Sequence, residues 1–99
     1  MKQVMEYKMS PNTSEHMMEV ERRCRHSGAG ETVYCLFREN VSNDSFLIRV
    51  QNREQCEEGA LCGSLSDVSL FFEKIVNGEV PPYILPEVLE DYAVRNAEN

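Results

Sequence analysis

The chain has no tryptophan and only eight aromatic residues, four Phe and four Tyr, so its core has to be built from those rings and from aliphatic side chains. It has no apolar run near the length of about 20 residues that a bilayer-spanning helix needs. The opening Met-Lys-Gln-Val-Met-Glu-Tyr-Lys alternates and carries charge too early for a signal-peptide hydrophobic region, so the expected location is cytoplasmic. No Cys-x2-Cys pair occurs, which removes the usual zinc-knuckle and dithiol redox spacings. A glycine-rich phosphate loop, a His-Glu-x-x-His helix and a Gly-x-Ser-x-Gly elbow are also missing, and no acid/base pair stands at a useful spacing. Glu57-Glu58 and Glu90-Asp91 are adjacent, and neighbours on a strand or helix point apart. The expectation is a non-enzymatic protein with no cofactor.

What is present is ordinary globular material: 99 residues, 41% apolar and 27% charged, with the apolar residues in periodic blocks. This length suits one domain over residues 1–99, with 1–63 mostly β and 64–99 mostly α. Charge is unevenly spread. Residues 1–53 hold eight Lys/Arg and seven Asp/Glu, whereas residues 54–99 hold two and ten, for an overall −7. A negative half repels phosphates, so nucleic acid and anionic membranes are poor ligands, and an unknown protein partner or a homodimer is the expected kind of contact.

Alternation marks the strands. Val4 to Met9 reads as one, with Met5, Tyr7 and Met9 on one face, and Ser10 to Ser14 as the turn that ends it. In Met18 to Arg25, Met18, Val20, Arg22 and Cys24 oppose Glu19, Glu21, Arg23 and Arg25; a short helix competes for this stretch. Ser27-Gly28-Ala29-Gly30 is a hairpin loop. Thr32 to Arg38 is rich in β-branched and aromatic residues and apolar on both faces, which suggests a central strand. Asn40 to Asp44 turns the chain into Phe46 to Val50. Gln51 to Glu58 is polar, and Gly59 to Gly63 is either a further short strand or an extended connection.

Helical spacing then takes over. Ser64 or Ser66 caps, and Val68, Phe71, Phe72, Ile75 and Val76 make a broad apolar face. Gly78 serves as the C-terminal stop and Pro81-Pro82 blocks continuation. A second helix begins near Pro86, with Leu85, Val88, Leu89 and Tyr92 as its buried stripe. The expected fold is therefore α+β: an antiparallel meander of four or five strands followed by two C-terminal helices, packed on a Val33/Cys35/Phe37/Phe46/Ile48/Val50 face.

The segment Val80-Pro81-Pro82-Tyr83-Ile84-Leu85-Pro86-Glu87-Val88-Leu89-Glu90-Asp91-Tyr92 resembles the ending of a group of small uncharacterised proteins from Clostridia-type bacteria, grouped as a domain of unknown function. Those proteins also close a strand-rich half with a short helix, a proline-containing link and an acidic helix ending Glu-Asp-aromatic. The resemblance covers roughly the last third of the chain and departs at Pro86, where the group more usually has a polar residue. It implies a bacterial, cytoplasmic setting and brings no activity with it.

Two sets of residues are candidates for a site. The cysteines are Cys24, Cys35, Cys56 and Cys62. In a reducing cytosol they are expected to be free thiols. A four-residue hairpin loop would set Cys24 opposite Cys35, with His26 on the same face, giving a thiol or metal sensor; a three-residue loop would put Tyr34 there instead. His16, in a polar loop, is expected to be merely exposed, and Asn12, Asn40 and Asn43 to be turn residues rather than glycan acceptors. The second set is Glu87, Glu90 and Asp91, an acidic helix surface suited to steering a protein partner. The leading expectation is a small binding or regulatory module acting through protein contacts, with the sensor as the alternative.

Overall fold

The structure, a computed structural model, describes residues 17–28, 30–40 and 44–98. The expected Val4–Met9 strand, the Ser10–Ser14 turn, Asn12, His16 and Asn43 lie outside the described residues. An antiparallel sheet in the order β1-β2-β3-β4 is formed by β1 (Met17–Ser27), β2 (Gly30–Glu39), β3 (Ser45–Gln51) and β4 (Cys56–Cys62). Helix α1 (Leu65–Asn77), a 3-10 turn (Pro82–Ile84) and helix α2 (Leu85–Glu98) follow. This is the expected α+β architecture, with β2 in the interior of the sheet. No described helix is long and apolar enough to cross a membrane.

Which side of the sheet is buried follows from how many residues the turns contain. Five residues separate Glu39 from Ser45, so residues of like parity oppose one another: Tyr34 faces Val50, Leu36 faces Ile48 and Arg38 faces Phe46. Opposed residues share a face, so the helices cover Tyr34 and Leu36 together with Phe46, Ile48, Val50 and Leu61, all buried. This corrects the expected face. Val33, Cys35 and Phe37 point to the opposite side with Leu47 and Arg49. The sequence misleads here because β2 is apolar on both sides, and only register separates them.

Other boundaries differ for local reasons. A bulge between Glu19 and Glu21 inserts Val20 and breaks the simple alternation, leaving Glu19 beside Arg22 at 2.9 Å. β4 begins at Cys56, earlier than its polar sequence suggests, because Glu58 pairs with Arg49 across the strands at 2.8 Å. α1 starts as expected: the Ser64 hydroxyl accepts from the Asp67 amide at 3.1 Å. It ends differently. Gly78 has right-handed φ −83, and the left-handed residue is Glu79, with φ 53. The Glu79 and Val80 amides then close onto the carbonyls of Val76 and Ile75.

Val68, Phe72, Ile75 and Val76 from α1 and Leu85 from α2 complete the core over the sheet face. Each such side chain, fully buried, contributes about 1.5–3 kcal/mol. The edge strand β1 is fastened to the end of α1 by polar contacts. Arg23 donates to Glu73 at 2.8 Å and Arg25 to Glu79 at 3.2 Å. From the neighbouring strand the Tyr34 hydroxyl donates to the Val80 carbonyl at 3.1 Å, and burial raises its pKa. α2 crosses β4 at Gly59, where an added Cβ would meet the end of the Leu89 side chain and make it shift.

Phe72 is fully buried, whereas Phe71 is half-buried and stacks on Tyr92 with ring centroids 4.2 Å apart. Phe72→Ala is expected to lower stability by about 3–5 kcal/mol, and Phe71→Ala by less. Chemical denaturation of both variants checks this, and equal losses would show that α1 is rotated from the described packing.

Candidate functional site: a groove between the helices

The cysteines come first because register decides their chemistry. The β1–β2 hairpin is tighter than either expected loop: Ser27 pairs with Gly30, so Cys24 lies opposite Val33 and Cys35 opposite Arg22. Cys24 and Cys35 therefore share the sheet face away from the helices without opposing each other. Cys56 and Cys62 are on that face too, through their partners Gln51 and Ser45. None of the four is in a disulfide; Cys35 is buried and the other three are exposed.

Desolvation raises the Cys24 pKa, and a hydrogen bond and charge from Glu31 raise it further. Burial raises that of Cys35 against the opposing pull of Arg22. His26 is exposed and stands 3.9 Å from the Glu31 carboxylate. Among the described residues no three His, Cys, Asp or Glu side chains come together as a metal site. On the same face the Arg49 guanidinium lies 5.1 Å from the Phe37 ring centre, a cation–π contact.

The acidic residues Glu87, Glu90 and Asp91 are exposed along α2, as the sequence suggests. They stand beside the apolar Val88 and Val94, and Asp91 is bound to Arg95 at 3.2 Å. Asp91 also borders a larger open groove of about 620 Å³ between α1 and α2. Its walls are Leu70, Phe71 and Ile75 from α1, Val80 from the link, and Val88 and Tyr92 from α2. Asp67, Lys74, Asp91 and Arg95 form the charged rim.

Local chemistry explains this shape. The Phe71–Tyr92 stack holds the helices together at one level, while the Tyr92 hydroxyl is tucked toward Gly63, where even a Cβ would stand 3.1 Å away. That hydroxyl is buried with no hydrogen-bond partner among the described residues, a cost of about 1–3 kcal/mol set against burial of the ring. Leu70 is 65% exposed and Val94 50%, so apolar surface continues outward from the groove onto both helices.

Leu70, Lys74 and Arg95 were not legible as site residues. Leu70 falls outside the apolar stripe of α1, and a leucine left out of the stripe on an otherwise amphipathic helix was the available signal. The arrangement offers shape, apolar contact and balanced charge rather than a nucleophile or metal. No protein-family model, curated protein or solved structure matches this chain.

In native protein, a thiol-specific reagent is expected to modify the three exposed cysteines before Cys35, with all four reacting in denaturant. Because the Cys24 and Cys35 pKa values are raised, their thiolate fractions at neutral pH fall below that of an unhindered thiol. Their alkylation should therefore lag at neutral pH and accelerate as pH rises beyond the ordinary thiol range. Mass-spectrometric mapping of a timed alkylation checks both the order and the pH trend.

Proposed function

We propose that this is a small, non-enzymatic protein-binding or regulatory module, bacterial and cytoplasmic, whose contact surface is the groove between α1 and α2. The observation that carries the reading is a groove with apolar side chains in its walls and charged residues of both signs on its rim, beside exposed Leu70 and Val94. Interfaces combine an apolar, well-packed centre with a polar rim in this way. Glu87, Glu90 and Asp91 border the same surface and add long-range attraction that speeds encounter with a basic partner.

The competing reading is a thiol or metal sensor using Cys24, Cys35 and His26. In its favour, four thiols share one sheet face. Against it, Cys24 and Cys35 hold their protons more tightly than an ordinary cysteine, whereas a reactive or metal-binding thiol needs its proton held less tightly.

The test is affinity capture from the native host with immobilised wild-type protein and a Leu70→Glu variant. Leu70 is exposed, so the variant should melt like wild type while losing the captured protein. Glu90→Lys with Asp91→Lys should slow association more than dissociation, and chiefly at low salt. Capture that is indifferent to the groove substitution, but abolished by Cys24→Ser, would overturn the reading in favour of the sensor.

A further inference from the structure

The groove rim has an internal symmetry that names an occupant. Within residues 54–99 there are ten acidic side chains and only two basic ones, Lys74 and Arg95, and both basic residues line the groove. With Asp67 and Asp91 they make the lining neutral on a chain of net charge −7. The acidic surface of residues 54–99 repels its counterpart on a second copy, and the neutral groove lining is a part of it where that opposition is relieved.

The spacing along α1 is more specific. Asp67 and Lys74 are seven residues apart, about two helical turns, and so lie on one side of the helix with Leu70 and Phe71 midway between them. Asp91 and Arg95 already pair within α2. Among the described residues, neither the Asp67 carboxylate nor the Lys74 ammonium has an ion-pair partner.

We infer that the groove binds a second copy of this chain, α1 against α1 in antiparallel orientation about a two-fold axis passing between Leu70 and Phe71. Such an axis sets Asp67 of each protomer against Lys74 of its partner. It brings exposed Leu70 onto the partner's Phe71 and toward the groove wall behind it. One patch is complementary to itself, which is what an isologous contact requires. This deepens the proposed function and rests on it, by naming the partner at the same surface.

Sedimentation equilibrium of the full chain tests the inference. Wild type should show a concentration-dependent monomer–dimer equilibrium. Asp67→Lys and Lys74→Asp, made singly, each place like charges across the axis and should weaken self-association about tenfold or more. Mixing the two variants should restore a dimer containing one of each, because each protomer then meets only opposite charge. The double exchange Asp67→Lys with Lys74→Asp should restore the homodimer. Leu70→Glu should be monomeric, and melting curves confirm that every variant is folded. A wild type that stays monomeric throughout, single variants that dimerise like wild type, or a mixture that fails to re-associate would each overturn the inference. A monomeric wild type that still captures a different protein through Leu70 would leave the proposed module standing and remove only the self-contact.

Discussion

The pairing register of β2 against β3 is the constraint on which the rest of this structure depends. Leu36 opposite Ile48 and Tyr34 opposite Val50 gather the large apolar residues of the two interior strands onto one face. A slip of one residue would move every β2 side chain to the other side, exposing Tyr34 and Leu36 and offering Cys35 and Phe37 to the helices. The number of residues in the Asn40–Asp44 connection therefore chooses between two apolar faces that composition alone does not rank.

Once that face is chosen, the helix layer has little freedom. Phe72, Ile75 and Val76 seat on it, and Leu89 packs over Gly59 where α2 crosses β4. Arg23 and Arg25 on β1 then reach Glu73 and Glu79, holding the end of α1 over the far edge of the sheet. As partly exposed ion pairs these orient more than they stabilise. With both helices placed, Phe71 and Tyr92 meet, and the apolar surface they leave uncovered becomes the wall of the groove. The site is thus a consequence of core packing rather than a separate device.

Much of this was readable from residues. Phe46, Ile48 and Val50 alternate cleanly, the Ser64 cap and the α1 stripe fall where helical spacing puts them, and Leu85, Val88, Leu89 and Tyr92 do pack toward the core. What was not readable turns on single residues of offset. Val20 in its bulge, the tight Ser27–Gly30 reversal and the positive φ of Glu79 rather than Gly78 are set by tertiary pairing, not by local preference. Asp67 and Lys74 lie far enough apart in sequence that their relation shows only once α1 is seen to expose one side. Glu87, Glu90 and Asp91 were conspicuous as a charge cluster, while the neutral rim beside them was hidden by the acidity around it.

The register is best tested by NMR, from nuclear Overhauser contacts between backbone protons on β2 and β3. The account predicts Tyr34 opposite Val50, Cys35 opposite Arg49 and Leu36 opposite Ile48. Contacts placing Cys35 opposite Ile48 or Val50 would contradict it, since the helices would then cover the other face and the groove could not form as described.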